Sequence, residues 1–152
     1  MKRIMLFLFL LFSTLAISQD RDLDVPDLLK IKFNEEFKNV VRPEWSKVYR
    51  GELNHEARYE VTFYMDNSKY LVSYNNDGNI RVIERSLGLN EVKDDSLKYL
   101  KNFYPTYAII GVTQLVKEDQ KVFYEIAITN RIEYFELLFS KDGSFLEKRQ
   151  LK

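Results

Sequence analysis

The sequence contains no cysteine and a single histidine, His55. Without cysteine the chain has no disulfide framework and no thiolate metal site. Zinc takes three or four ligands, and a lone histidine leaves nearly all of them to carboxylates. The same scarcity leaves no Ser-His-Asp or Cys-His arrangement for nucleophilic catalysis. We therefore interpret His55 as an exposed residue at a hairpin tip, and we expect no catalytic, cofactor-binding or metal-binding residues.

The chain also lacks an excess of either charge. Lysine and arginine number 23, as do aspartate and glutamate. No basic field or basic stripe is therefore present to attract nucleic acid. Glycine is scarce, at five residues, and neither a Gly-x-Gly-x-x-Gly pattern nor a P-loop occurs. Nucleic acid and nucleotide phosphates are thus not expected as ligands.

Long apolar runs are absent except at the amino terminus. Two basic residues precede an uncharged stretch over 4–17, and Ala16-Ile17-Ser18 offers small residues where signal peptidase cleaves. We interpret residues 1–18 as a secretory signal peptide. An uncleaved anchor is the alternative, although a membrane span needs roughly 20 apolar residues. No cysteine follows that could carry a lipid, so the mature chain, of formal charge −2, is expected in the periplasm or outside the cell and not on a membrane.

One pattern occurs twice along the mature chain. Tyr59-Glu60-Val61 precedes Asp77-Gly78, and Tyr124-Glu125-Ile126 precedes Asp142-Gly143, with an offset of 65 residues at both ends. Alternating apolar residues also match between the copies: Val61/Ile126, Phe63/Ile128, Tyr70/Phe135, Val72/Leu137 and Tyr74/Phe139. A slip of one residue would turn all of them outward. The match predicts one β-meander built twice; the alternative is a coincidence between two unrelated meanders.

Each copy is expected to begin with a helix. Pro26 suits the first turn of the first helix and Pro43 ends it, while Pro105 ends the second. The apolar positions at helical spacing are Leu29, Phe33, Phe37 and Val40, then Leu97, Leu100 and Phe103 or Tyr104. Alternation predicts four strands after each helix: 45–53, 58–65, 69–74 and 80–87, then 109–117, 123–129, 132–139 and 145–150.

Several acidic residues are candidates for metal binding or catalysis. Asp77 and Asp142 stand in four-residue hairpin turns, whereas a calcium loop of the EF-hand type needs ligands spread over about 12 residues. We interpret them as turn formers, with the following glycine supplying a positive φ. Glu60 and Glu125, with Glu136 near them in the pattern, suggest a carboxylate pair for glycoside hydrolysis. The alternative, which we favour, is that they are solvated outward residues of a half-exposed sheet.

These features resemble a known family. A Pro-x-aromatic motif, Pro43-x-Trp45 and Pro105-x-Tyr107, leads into each Tyr-Glu and Asp-Gly pattern. Over about residues 25–151 the chain resembles the PepSY-like, β-lactamase-inhibitor-like proteins exported by Bacteroidetes-type bacteria. The resemblance implies an α+β fold in which two tandem helix-plus-four-strand antiparallel units form one curved sheet with the helices on one face. The family has no established catalytic residues, so none is implied here.

About 134 mature residues suffice for one compact domain with a sizeable core. We divide the chain into the signal peptide at 1–18, a first repeat at 19–88 and a second repeat at 89–152. Trp45 is expected in the core rather than at a ligand. The bulky inward residues Phe63, Phe135 and Phe139 suggest that the space between sheet and helices is filled.

The outward phase of the strands mixes large apolar side chains with charged ones. The candidate partner-binding residues are Tyr49, Tyr64, Leu71, Tyr134 and Leu138, with Tyr49 depending on the phase of the first strand. Tyrosine and tryptophan dominate interface hot spots, so such a face suits protein recognition. The alternative is ordinary scattered surface aromatics. Function is expected where the copies differ, as at Leu71 against Glu136 and Tyr64 against Thr129.

The sequence favours an exported, non-catalytic binding module that presents this face to an unidentified protein or peptide. Inhibition of the partner is a narrower form of this hypothesis, taken from the resemblance alone. Two alternatives stay open: a small-molecule binder with a pocket between sheet and helices, and an envelope structural protein whose sheet edges pair with other chains. The oligomeric state is not specified by the sequence.

Overall fold

The computed structural model describes residues 24–50 and 56–151. The interpreted signal peptide and the hairpin tip at His55 lie outside the described residues. Within them are two α-helices, α1 (Asp27–Glu36) and α2 (Asp94–Phe103). The eight strands are β1 (Val41–Arg50), β2 (Glu56–Met65), β3 (Ser68–Tyr74), β4 (Ile80–Ser86), β5 (Ala108–Lys117), β6 (Val122–Thr129), β7 (Tyr134–Ser140) and β8 (Phe145–Leu151).

All eight strands form one antiparallel sheet in sequence order, with β1 and β8 at its edges. Each strand pairs with the next along the chain, so the topology is a meander in which α2 lies between β4 and β5. The predicted α+β fold, with two helix-plus-four-strand units sharing one sheet, is confirmed.

The two units also share their backbone irregularities. The first strand of each unit is irregular near its start. The third and fourth strands change register at Ser73/Tyr74 and again at Leu138/Phe139, which lie at the same offset of 65 residues. A β-bulge bends its strand and increases the local twist. The duplication therefore extends from the side-chain pattern to the shape of the sheet.

Two hydrophobic clusters form the core, one between each helix and its part of the sheet. Leu29 and Phe33 of α1 cover the first cluster, and Leu100 of α2 covers the second. The matched inward residues all belong to these clusters, and all except the half-buried Tyr70 are buried. Burying one such large side chain contributes roughly 1.5–3 kcal/mol, which makes the alternating pattern the main source of stability.

The aromatic residue of each Pro-x-aromatic motif packs against the core of its own unit. The Trp45 ring lies 5.9 Å from that of Tyr74 and 5.5 Å from that of Phe33. In the second unit Tyr107 lies 5.8 Å from Phe135. Trp45 is therefore part of the packing, as predicted.

Each helix rests on the glycine of a hairpin turn. Lys32 Nζ in α1 donates a hydrogen bond to the Gly78 carbonyl at 3.1 Å, and Ser96 Oγ in α2 donates one to the Gly143 carbonyl at 3.2 Å. The glycines have φ of +76° and +96°, a region that other residues rarely adopt. A Cβ on Gly78 would lie 3.1 Å from Leu29 Cδ2. The Asp-Gly pattern thus forms a turn and also a docking point for a helix.

Helix α1 is shorter than predicted. It ends at Glu36, and Phe37 already has extended backbone angles (φ −108°, ψ 113°), so the prediction that Pro43 ends this helix and that Val40 belongs to it was wrong. The centre of the Phe37 ring nevertheless lies 5.1 Å from that of Phe63. This contact with the core explains why Phe37 is apolar at a position that continues the helical spacing. Pro43 lies in β1, an edge strand, where its missing N–H costs no ladder hydrogen bond.

Every strand differs by at least one residue from its predicted bounds, and the starts of β1 and β7 are among the larger differences. β1 begins at Val41, four residues earlier than predicted, and β7 begins at Tyr134 rather than Ile132. Asn130 Oδ1 accepts hydrogen bonds from the N–H groups of Ile132 and Glu133 at 3.0 and 2.8 Å, which closes a turn there. Ile132 is consequently 87% exposed.

Because α2 packs closely on the Gly143 turn, adding a methyl group to this glycine should lower the stability of the protein. Gly143→Ala places a Cβ within 3.1–3.3 Å of Lys93, Asp95 and Ser96 at φ +96°, and we expect the free energy of unfolding to fall by about 2 kcal/mol. Urea unfolding followed by circular dichroism measures it. Gly111→Ala is the control, because its Cβ would meet Ala127 Cβ at 3.8 Å; an equal loss in both variants would contradict the account.

Candidate functional site

The two faces of the sheet differ in what covers them. Both helices pack on the face that carries the two core clusters. Among the described residues no helix lies on the other side, which we call the open face. Its side chains alternate with the buried ones along each strand, and paired residues share a face. It includes Glu60, Thr62, Tyr64, Lys69, Leu71, Glu84, Thr113, Leu115, Lys117, Phe123, Glu125, Tyr134, Glu136, Leu138, Glu147 and Arg149.

Four of the five predicted partner-binding residues lie on the open face. Tyr64 and Tyr134 are 47% and 43% exposed, and Leu71 and Leu138 are half-buried. Trp45 pairs with the buried Val61, and Tyr49 pairs with Ala57, four residues further along β1. Because side chains alternate along a strand, Tyr49 is on the same side as Trp45 and therefore opposite the open face. Its placement with the other four is therefore corrected: the continuous register of residues 44–50 against β2 sets its phase. Partner binding by these five residues stays a prediction.

The four residues do not form one cluster. Leu71 on β3 and Leu138 on β7 are four strand spacings apart, about 19 Å. Tyr64 on β2 and Tyr134 on β7 are five spacings apart, about 24 Å. The candidate residues therefore mark out a broad surface rather than a compact pocket.

Two shallow depressions lie on the open face, each beside one of the predicted leucines. The first, of about 150 Å³, is lined by Leu71 with Thr62, Glu84 and Thr113. The second, of about 160 Å³, has Leu138 and Leu115 beside the carboxylates of Glu125, Glu136 and Glu147 and the guanidinium of Arg149. Each depression combines a recessed apolar surface with a polar rim, which is the layout of a protein interface.

An arginine on β8 bridges two glutamates within the second depression. Arg149 Nε donates to Glu136 Oε2 at 2.8 Å, and Arg149 Nη2 lies 3.6 Å from Glu125 Oε2. Burial, followed by the nearby Glu136 carboxylate, raises the pKa of Glu125, although Arg149 opposes that shift. Arg149 thus compensates the negative charge of Glu125 only in part. Glu125 is also more buried than the freely solvated residue that the alternation suggested.

The carboxylates do not reproduce a hydrolase geometry. Glu60 on β2 and Glu125 on β6 share the open face but are four strand spacings apart, about 19 Å, against the roughly 5–10 Å that glycoside hydrolysis requires. The Arg149 guanidinium joins the closer pair, Glu125 and Glu136. Within residues 24–50 and 56–151 no group of three or more acidic, histidine or cysteine side chains is placed to hold a metal ion.

Three residues of this surface were missed from the sequence. Leu115 and Phe123 pair across β5 and β6 at the centre of the open face, and Arg149 joins β8 to β6 and β7. The alternation along β6 could have placed Phe123 on the open face, because Tyr124 and Ile126 point inward. Arg149 could not be placed, because its role depends on the register of three strands.

Comparisons with known proteins identify the fold. No protein-family model matches the sequence, and no curated protein matches it. Solved structures do. A protein described as periplasmic from Bacteroides eggerthii superposes with a TM-score of 0.72 at 16% identity, covering 83% of this chain and 88% of its own. A DUF2874 family protein from Bacteroides uniformis gives 0.72 at 13% identity, with 83% and 89% covered.

A BLIP-like protein from Bacteroides fragilis gives a TM-score of 0.68 at 16% identity, covering 87% of this chain and 92% of its own. At such identities the likeness establishes the fold. The chain therefore has the BLIP-like fold, as the resemblance implied. The PepSY-like part of the resemblance stays a prediction. None of the described helices is long and apolar enough to cross a membrane.

The raised pKa of Glu125 predicts a stability change that depends on pH. Below its unfolded-state pKa, about 4.3, Glu125 is protonated in both states and contributes nothing. As pH rises through and beyond that value, ionisation favours the unfolded state, because the folded-state pKa is higher. We expect Glu125→Gln to raise the free energy of unfolding at pH 7 and to leave it unchanged at pH 3.5.

Urea unfolding at several pH values measures this difference, with Glu147→Gln as the matched control on the exposed edge strand β8. A Glu125→Gln gain that is independent of pH, or as large in Glu147→Gln, would contradict the assignment of the shift to burial beside Glu136.

Proposed function

We propose that this chain is an exported, non-catalytic module that binds a protein or peptide through the open face of its sheet. The observation that carries the proposal is the exposure of large apolar and aromatic side chains on a face that no described helix covers. A sheet of a soluble domain is normally apolar on the face that it packs and polar on the face that it exposes. Tyr64, Leu71, Tyr134 and Leu138 depart from that rule.

The dimensions of the open face suit a macromolecular partner. Eight strands span about 34 Å, and strands of seven residues are about 23 Å long. A standard interface buries about 800 Å² on each partner, which this area approaches. The two depressions on it, of about 150 and 160 Å³, are smaller than typical pockets for small ligands. They match the size of single side chains, so a partner that inserts individual residues fits them.

The composition of the face supports recognition of a specific partner. Tyr64 and Tyr134 are rigid amphipathic groups of the kind enriched at hot spots. Glu125, Glu136 and Arg149 form a preorganised charged group across β6, β7 and β8. Charges arranged in this way contribute mainly to specificity and association rate. Affinity is expected from the tyrosines and leucines.

Export is the second part of the proposal. It is supported by the signal-peptide pattern in residues 1–18 and by the likeness to a Bacteroides eggerthii structure described as periplasmic. Inhibition of the partner is a narrower form, supported by fold resemblance to a BLIP-like protein. A fold does not specify its function, so the experiments address binding first.

Substitution of the two exposed tyrosines tests the proposal. The mature protein is immobilised and incubated with periplasmic and secreted extracts of its source, and captured proteins are quantified by mass spectrometry. We expect wild type to enrich a specific partner and Tyr64→Ala/Tyr134→Ala to lower its recovery at least tenfold, because truncating hot-spot tyrosines costs about 2 kcal/mol or more.

Tyr49→Ala is the matched control, since Tyr49 is 55% exposed on the opposite side of the sheet. It should retain full capture, and circular dichroism should show all variants folded. Equal capture by wild type and the double variant, or loss of capture in Tyr49→Ala alone, would overturn binding through the open face.

A further inference from the structure

The two units are joined along one line, which we call the seam: the pairing of residues 82–86 of β4 with residues 113–117 of β5. None of the residues in these five pairs is buried. Every other pair of neighbouring strands in the described sheet includes at least one buried residue in its register, as Ile126 and Leu137 do between β6 and β7. The seam therefore lacks the packing that stabilises the rest of the sheet.

The two core clusters end on either side of the seam. The buried members of one lie within residues 25–74 and those of the other within residues 92–139, and no residue belongs to both. Half-buried residues beside the seam follow the same division, since Ile83 packs against the first cluster and Leu87 against the second. Each unit would therefore keep its whole hydrophobic core if the seam opened.

Both faces of the sheet are hollow beside the seam. On the helix-covered face a cavity of about 480 Å³ lies between α1 and the seam, with Ile80, Ile83 and Val116 in its lining. The space between sheet and helices is therefore not completely filled, contrary to what the bulky inward residues suggested. On the open face the two depressions border the seam, one at Glu84 and the other at Leu115. Segments with few buried apolar contacts open at a lower free energy than packed ones.

The two ends of the seam are held differently. The chain passes from the first unit to the second where β4 finishes, and there Arg85 Nη2 also donates to Glu91 Oε2 at 2.9 Å. We call this the pinned end. At the other end Glu118 N–H donates to the Arg81 carbonyl at 2.9 Å, beside the cavity, and the chain makes no crossing between the units. We call this the free end.

We propose that the seam is a hinge: β4 and β5 separate from the free end towards the pinned end while both units remain folded. The open face extends over both units, so this movement changes its curvature. The helices move with their own units, because each is packed on its own core cluster. The hinge is a property of the fold and does not depend on the partner proposed for the open face.

Hydrogen exchange of the native protein, followed by NMR, measures this opening amide by amide. After correction for intrinsic rates, the amides that cross the seam should exchange about tenfold faster than those that pair β6 with β7. Exchange should also differ along the seam. Glu118 N–H at the free end should exchange faster than Leu87 N–H, which donates to Val112 at the pinned end, although both hydrogen bonds are 2.9 Å long.

Engineered disulfides can clamp either end, because the chain has no cysteine of its own. Val82→Cys/Lys117→Cys joins the pair nearest the free end, and Ser86→Cys/Thr113→Cys joins the pair at the pinned end. Directly opposed residues of an antiparallel pair have Cα atoms about 4.5–5.5 Å apart, a distance that a disulfide spans. The two disulfides close loops of similar length, so their effects on the unfolded chain should be alike.

Oxidation of the free-end clamp should slow exchange of the seam amides about tenfold relative to its reduced form, because the hinge is then held closed. Oxidation of the pinned-end clamp should leave the Glu118 amide nearly unchanged. Circular dichroism verifies that both variants are folded in both forms, and the wild-type comparison decides where a variant is not.

The proposal fails if the wild-type seam amides exchange as slowly as those between β6 and β7, or if the two clamps slow the seam equally. It also fails if the free-end clamp protects Glu118 and no other seam amide, because that result would indicate fraying of a strand end. None of these measurements involves a partner, so they are independent of the proposed function.

Discussion

The contact between each helix and the glycine of a hairpin turn is the constraint on which the rest of the molecule depends. It places α1 over Gly78 and α2 over Gly143 and joins chain segments almost 50 residues apart. Because both contacts lie on the same side of one sheet, both helices cover the same face. The other face is left open along its whole width. Together with the two core clusters beneath the helices, these contacts divide the molecule into a packed side and a presenting side.

The duplication conserves geometry more strictly than chemistry. Inward positions of the two units remain apolar, and the bulges before the fourth strands coincide. The bonds to the glycine carbonyls come from different side chains, Lys32 in one unit and Ser96 in the other. Outward positions are free to differ, as Leu71 and Glu136 do. In the second unit the outward positions hold Glu125 and Glu136, which Arg149 bridges.

The sequence was sufficient to predict the fold and the phase of most strands, because alternation is a local property that a single segment displays. It predicted the positions of Tyr64 and Tyr134 for the same reason. It failed where the answer depends on distant residues. The face that Tyr49 occupies depends on the register of β1 against β2, and the early end of α1 was hidden because Phe37 keeps a helical spacing while packing from extended backbone. Ser96, buried against Gly143, is polar and so interrupted the apolar stripe by which helices are recognised.

The central claim is that the open face, and not the helix-covered face, meets the partner. Site-specific photocrosslinking tests it most directly, with a benzophenone amino acid placed at Tyr134 on the open face or at Phe103 on α2. Both positions are exposed and aromatic, at 43% and 67%, so the two probes differ chiefly in the side of the sheet they occupy. The account predicts a covalent adduct with the partner from position 134 and none from position 103. An adduct from position 103 without one from position 134 would contradict it.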